Sequence, residues 1–257
     1  MKFSKWTGLG NDFIFPEPGE VCPASAVQDL CDRRFGIGAD GVILITSLAD
    51  GNFEMRIFNA DGSEAAMCGN ATRCAAKYIV SRQLGRGKIF HLNTRSGVVS
   101  PELLADGRVR VDMGKPRIFL GSIKLCADGQ VFAAETVSMG NPHAVIFVDD
   151  IAEVELDKIG VILEHDPQFS DRCNIEFAQV LAPGKIRMRV WERGCGITLA
   201  CGTGSCATLV AAQRRDLCGR EADIVLDGGT LHIEHDENAS VFMTGEAKEV
   251  YRGEIVL

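Results

Sequence analysis

Two Cys-Gly steps, Cys68-Gly69 and Cys201-Gly202, stand 133 positions apart in a chain of 257, and each opens an apolar stretch with helical spacing. The same shift lays Met55-Arg56-Ile57-Phe58 over Met188-Arg189-Val190-Trp191 with no gap before the Cys-Gly pair. A shift of 130 lays Gly10-Asn11 over Gly140-Asn141. A period of nearly half the length predicts a chain that uses one folding unit twice. Few intervening residues match. The best matches are reactive or polar types rather than core apolar ones, so the repeat predicts two similar lobes facing one site.

Short β-rich segments recur at 42–46, 54–58, 88–92, 109–113, 144–148, 186–191, 224–226 and 241–244. Helices are fewer. One is expected over 70–84, where Ala75/Ala76, Ile79/Val80 and Gln83/Leu84 recur every four residues before Gly85 as a stop. Its counterpart is expected over 204–217, ending near Gly219, and a third over 24–34. Strands with an occasional long helix, repeated in each half, predict an α+β fold of two pseudo-symmetric lobes, each a mostly antiparallel sheet wrapped around a central helix. Lys115-Pro116-Arg117 is the best boundary, because proline continues neither strand nor helix there. The expected lobes are therefore 1–116 and 117–247, with a strand at about 248–257 returning to the first.

The 46% hydrophobic content is enough for a large core. A net charge of −8, with no Lys/Arg run longer than two, argues against a nucleic-acid or anionic-membrane surface and suits a small polar metabolite. Met1-Lys2-Phe3-Ser4-Lys5-Trp6 lacks the apolar core of a secretory signal, and no apolar run is long enough to span a bilayer, so a cytoplasmic location is expected. In that setting the ten cysteines read as thiols, most of them small buried hydrophobes. The sequence leaves the oligomeric state open, a homodimer among the options.

A thiol just before the first turn of a helix sits where unpaired N–H groups and the positive end of the dipole stabilise negative charge, which favours the thiolate. The N–H groups of Gly69-Asn70 and Gly202-Thr203 can also hold a substrate carboxylate. Two such sites facing each other would clamp one anion, with a thiol on each face of its α-carbon. One thiolate removes the α-proton, the opposite thiol delivers another, and the configuration inverts. Aimed N–H dipoles stabilise the carbanion or enolate that develops. This scheme requires no metal and no organic cofactor.

The segments Gly8-Leu9-Gly10-Asn11-Asp12-Phe13, 56–64, Cys68-Gly69-Asn70, Gly140-Asn141-Pro142-His143, Glu192-Arg193-Gly194 and Ala200-Cys201-Gly202-Thr203-Gly204 resemble those of the diaminopimelate epimerase family, in order and across essentially the whole chain. The resemblance implies a pyridoxal-independent epimerase that interconverts LL- and meso-diaminopimelate in lysine and peptidoglycan-precursor synthesis. It implies two pseudo-symmetric α+β lobes with the active site in the cleft between them. Carried over by position, Cys68 and Cys201 are the acid/base pair, and Gly69-Asn70 with Gly202-Thr203 form the α-carboxylate clamp. Asn11, Asn59, Asn141, Asn174, Glu192 and Arg193 match substrate-binding positions, with His143 and Glu192 near the reacting centre. An Arg fork suits a distal carboxylate and Glu192 an ammonium. The chain departs from the commonest pattern at Ile197, where many members carry Glu, and at Gly41, where some place a substrate-contacting Gln.

Other features have plainer readings. Cys74 and Cys206 fall inside the helices and are expected to pack. Cys195-Gly196 has no counterpart in the first half. His232-Ile233-Glu234-His235 lacks metalloprotease spacing, and short-spaced Cys pairs of the zinc kind are absent. Gly8-x-Gly10 and Gly36-x-Gly38 are too short for a dinucleotide fingerprint and mark turns. A cofactor-independent racemase of another polar amino acid, such as histidine, remains the main alternative. A thiol redox protein and a noncatalytic amino-acid binder stand further off.

Overall fold

The computed structural model describes residues 1–257, and packing divides them into two compact units: residues 1–112 with 245–257, and residues 113–244. Both are mixed sheets with few helices. No helix is long and apolar enough to cross a membrane.

The first unit contains strands β1 (Lys2–Gly8), β2 (Asn11–Pro16), β3 (Gly41–Ser47), β4 (Phe53–Asn59), β5 (Glu64–Ala65), β6 (Leu92–Thr94), β7 (Gly97–Val99), β8 (Glu102–Leu103) and β9 (Val109–Asp112), with helices α1 (Val27–Cys31) and α2 (Gly69–Ser81). The last strand of the chain, β19 (Lys248–Glu254), pairs antiparallel with β1, Lys2 opposite Glu254. Strand order is β19-β1-β2-β3-β4-β6-β7, with β5 on β4, while β8 pairs antiparallel with β9. Alternation sets the faces: in β4, Phe53, Met55 and Ile57 are buried while Glu54 and Arg56 are exposed. Tyr78 of α2 stacks on Phe15 at 4.9 Å and donates to the Pro16 carbonyl at 2.7 Å. Just beyond the helix, Arg82 ties Glu17 (2.6 Å) to Glu249 of β19 (3.1 Å).

The second unit contains β10 (Arg117–Ala127), β11 (Gln130–Ser138), β12 (Pro142–Phe147), β13 (Asn174–Ala182), β14 (Lys185–Glu192), β15 (Gly196–Thr198), β16 (Glu221–Leu226), β17 (Gly229–His235) and β18 (Val241–Gly245), with α3 (Leu156–Glu164) and α4 (Gly202–Arg214). Strand order is β10-β11-β12-β13-β14-β16-β17-β18, with β15 on β14. Its core joins Leu125, Ile146, Leu156, Leu163, Ile175 and Phe177.

Each unit is mostly antiparallel, with two parallel joints, and every parallel joint spans a helix because parallel neighbours need a crossover. Helix α1 lies between β2 and β3, and α2 between β4 and β6; α3 lies between β12 and β13, and α4 between β14 and β16. Helices α2 and α4 have 13 residues each, with both bounds displaced by the repeat shift. The residues that terminate them, Gln83 (φ 56°) and Asp216 (φ 55°), are related by the same shift. In both, the residue after the left-handed one returns its N–H to the helix, Leu84 to the Ile79 carbonyl and Leu217 to Ala212.

Several expectations shift locally. The first long helix stops at Ser81 rather than 84, and Gly85 is not its stop: a Cβ there would lie 3.0 Å from the Phe53 ring, so this glycine is needed for packing. The helix expected over 24–34 is a 3-10 turn followed by the single turn α1, because the Asp32 carboxylate captures the N–H groups of Arg34 and Phe35, both at 2.7 Å. Of 88–92, only Leu92 joins a strand, while Ile89 makes an isolated bridge to Glu102.

Candidate active site

In the first unit, β2 and the start of α2 bring three polar groups together. Cys68 is extended (φ −146°, ψ 117°) and immediately precedes α2, half-buried. Its thiol donates to Asn11 Oδ1 at 3.8 Å, and Asn70 Nδ2 donates to the same oxygen at 3.2 Å. The Asn11 amide is oriented from behind, its Nδ2 donating to Asp40 Oδ2 at 2.6 Å. Asp40 also accepts the Asp12 N–H at 3.0 Å, and Arg33 bridges Asp12 and Asp40, both at 2.7 Å. Asp12 is held at about 2: burial opposes its ionisation, but hydrogen bonds and charge from Arg33 and Lys5 outweigh it. Gly8 lets the strand approach the helix, since a Cβ there would be 3.1 Å from the Asn70 carbonyl.

In the second unit, Cys201 has the same extended conformation (φ −124°, ψ 111°) immediately before α4, and it is buried. Its sulfur accepts the Gly204 N–H at 3.4 Å and lies 3.6 Å from Thr203 Oγ1. Asn141 Nδ2 donates to Thr203 Oγ1 at 3.3 Å, while Asn141 Oδ1 faces His143 Nε2 at 3.1 Å. The other ring nitrogen, Nδ1, lies 2.6 Å from Glu176 Oε1, and both His143 and Glu176 are fully buried. Glu192, at the end of β14, accepts from Thr198 and is hydrogen-bonded to Cys201. Burial pushes the Glu192 carboxyl above its ordinary range. The two sites repeat as the sequence does: Asn11 bonds Asn70, and Asn141 bonds Thr203, the residue one repeat further on.

Electrostatics correct one expectation. Both cysteines sit at helix starts, a position that favours the thiolate, yet the Cys201 thiol is pushed well above 9. Burial is the largest cause, followed by the negative charges of Glu192 and Glu176. The contacts from Thr203 and the Gly204 N–H work the other way and do not prevail. Cys201 is therefore a protonated thiol at neutral pH.

The remaining residues form a third group. Asn174 is buried at the start of β13, donates to the Pro142 carbonyl at 2.8 Å and accepts the Arg193 N–H at 2.9 Å. The Arg193 guanidinium contacts the exposed Asp171 carboxylate at 2.7 Å. Asn59 stands at the exposed end of β4, bonded to Ser63 Oγ at 3.0 Å, and none of its hydrogen bonds reaches Asn11 or Cys68. Gly41 is fixed by packing: it lies opposite Asn59, and a Cβ would collide with the Phe58 carbonyl. Ile197 is exposed, while its neighbour Thr198 makes the contact to Glu192.

Sequence reasoning missed Asp40, Glu176 and Thr198. Glu176 had a usable signal, as the one charge in the otherwise apolar run 175–178. Cys74 and Cys206 are fully buried inside their helices, as expected. His232 and Glu234 share one face of β17 and, with Glu221, bring possible metal-ligand atoms within 4.8 Å of one another, but His232 is taken by Asp223 at 2.9 Å. His235 points to the other face and bonds Gln213.

At the level of fold, the chain is similar to a Bacillus anthracis phenazine biosynthesis protein of the PhzF family, with a TM-score of 0.74 and 14% identity over 100% of this chain and 99% of that one. This places it among duplicated α+β proteins of that fold. The diaminopimelate epimerase profile matches residues 3–119 and 135–250. The chain is 46% identical to a Synechocystis diaminopimelate epimerase over 274 aligned residues, covering 99% of this chain and 98% of that protein. It is 43% identical to the Carboxydothermus hydrogenoformans diaminopimelate epimerase, covering 100% of both. The chain belongs to the diaminopimelate epimerase family.

Proposed function

We propose that this chain is a diaminopimelate epimerase, an isomerase that interconverts the LL and meso forms by two-base proton transfer at one α-carbon. The observation that carries the mechanism is the repeated setting of Cys68 and Cys201, each an extended residue immediately before a 13-residue helix. Both helices direct their first-turn N–H groups out of the helix start. Those of Gly69-Asn70 and Gly202-Thr203 take the α-carboxylate and the enolate charge that develops on it.

Because Cys201 holds its proton, it serves as the acid for the isomer whose α-hydrogen faces Cys68, and Cys68, once its thiol proton has passed to solvent, serves as the base. After turnover the roles are exchanged, and the reverse reaction begins from that state. Asn11 and Asn141 fix the groups beside the two sulfurs, His143 sets Asn141, and Glu192 sits against the Cys201 thiol. Arg193, Asn174, Asn59 and Glu192 recognise the distal amino-acid end, the substrate carboxylate displacing Asp171 from Arg193. The thiols and N–H donors perform these steps without calling on a metal or an organic cofactor. The substrate is a cytoplasmic amino acid, and the reaction supplies lysine and peptidoglycan precursors.

Incubation of the reduced protein with LL-diaminopimelate, followed by chiral chromatography, tests this reading. Formation of the meso isomer is expected. Turnover of a single-centre amino acid such as histidine, with none of diaminopimelate, contradicts it.

A further inference from the structure

We propose that Glu176 is a positioning residue of this reaction: its buried carboxylate sets the His143 imidazole and, through it, the Asn141 amide and the Thr203 hydroxyl beside Cys201. The inference rests on the epimerase reading above. Glu176 is the third residue of β13, paired with Val145 on one side and Val190 on the other, with no solvent exposure. Its Oε1 bonds His143, and its Oε2 has no hydrogen-bond partner. A buried carboxylate with one oxygen unbonded is unfavourable for folding, and an apolar side chain between Ile175 and Phe177 would pack better. What Oε1 holds is therefore the reason for the residue.

The bonds run in one direction. Asn141 Nδ2 is committed to Thr203 Oγ1, so Asn141 Oδ1 faces His143 and requires a proton on Nε2. On the other side of the ring, Nδ1 faces the carboxylate at 2.6 Å, and a proton lies between them as well. Both ring nitrogens are thus held, and the ring cannot turn without breaking one of the two contacts. Thr203 Oγ1 then meets the Cys201 sulfur at 3.6 Å. A second route is direct. Gly204 leaves the carboxylate room beside the sulfur, a Cβ there being 2.6 Å from Glu176 Oε1 and 3.2 Å from Cys201 Sγ. The titratable groups facing Glu176 are His143 from β12, Glu192 from β14, Cys173 from the segment before β13, and Cys201 itself.

The test is Glu176→Gln in the full-length enzyme, which keeps the shape and removes the charge. Its kcat should fall roughly 10- to 1000-fold, while KM stays within about threefold. The pH midpoint for alkylation of Cys201 should drop, because one of its two negative neighbours is gone. Glu176→Asp should restore that midpoint toward the original. A Glu176→Gln enzyme with unchanged kcat and unchanged Cys201 midpoint overturns the proposal. Should that variant not fold, ¹⁵N spectra of His143 in the unaltered enzyme decide it: Nε2 should carry a proton toward Asn141, and Nδ1 should show the hydrogen bond to Glu176. A ring with no proton on Nε2, or with Nδ1 unbonded, overturns the proposal. Failure of the unaltered enzyme to epimerise diaminopimelate defeats the activity instead, and leaves the His143 spectrum and the alkylation midpoint to judge Glu176.

Discussion

The carboxylate of Glu176 lies 2.6 Å from the point that a Cβ at residue 204 would occupy, so Gly204 gives the buried acid its place beside the first turn of α4. Gly204 is itself helical, and in an exposed helix Ala would be the better residue there by about 1 kcal/mol. Here the sign reverses. Gly204→Ala should destabilise the protein by about 1–3 kcal/mol through overpacking against Glu176 and Cys201 Sγ, and should lower kcat because both are displaced. Thermal melts and initial rates of epimerisation check this, and a more stable, fully active variant would show that the contact is slack.

The environment of Cys201 makes its chemistry depend on pH in a definite direction. With its thiol pushed well above 9, it should resist iodoacetamide at neutral pH and react faster only as the pH climbs beyond the ordinary thiol range. Peptide mapping of enzyme treated briefly at a series of pH values reads this directly. Fast modification of Cys201 at pH 7 would contradict the assignment of a protonated resting thiol.

Asp40 controls the first-unit site from behind. Asp40→Ala removes the acceptor of Asn11 Nδ2 and separates Arg33 from one of its two partners. The Asn11 amide then loses its fixed orientation toward Cys68 and Asn70. Steady-state kinetics should show kcat/KM reduced about 10- to 100-fold, a loss of about 1.4–2.8 kcal/mol of transition-state stabilisation. Asp50→Ala, on the exposed turn between β3 and β4, serves as the control and should match the parent.

Global stability should decline on both sides of neutral. Burial raises Cys31 to about 11 and Cys74 to about 12, and it raises Cys173 and Cys201 as well. The folded chain keeps protons that the unfolded chain releases, so stability falls as pH rises above about 9. Asp12 and Glu249 are both lowered to about 2: Asp12 through Arg33 and Lys5 against its burial, Glu249 chiefly through Arg252 and Arg82. The stability they contribute is complete above their unfolded values near 4 and is lost as pH falls through that range toward 2. Urea midpoints measured from acid to alkaline pH should trace this dome.

The repeat was legible because chemistry and topology share a period: each unit carries a Cys-Gly step where a crossover helix begins. The network behind the sulfurs was harder to see. Asp40 and Glu176 act across strands, 29 and 33 residues from Asn11 and His143 respectively, and single-chain spacing does not report such pairs. The hairpin β10–β11 was missed although Asp128-Gly129, both with positive φ, is a favoured two-residue turn. Helix α3 was hidden by Gly160, which reads as a breaker but lies against the Trp191 ring, where a Cβ would come within 2.7 Å. Which sulfur keeps its proton was not legible, because both precede a helix and only the fold brings Glu192 and Glu176 beside Cys201.

The central claim is that one sulfur takes the α-proton while the other supplies its replacement. Turnover of LL-diaminopimelate in deuterium oxide, stopped early and analysed by chiral mass spectrometry, tests it most directly. Deuterium is predicted in the meso product, with the recovered LL substrate unlabelled. Equal labelling of both isomers at early times would mean that a single base serves both faces, and the account would be wrong.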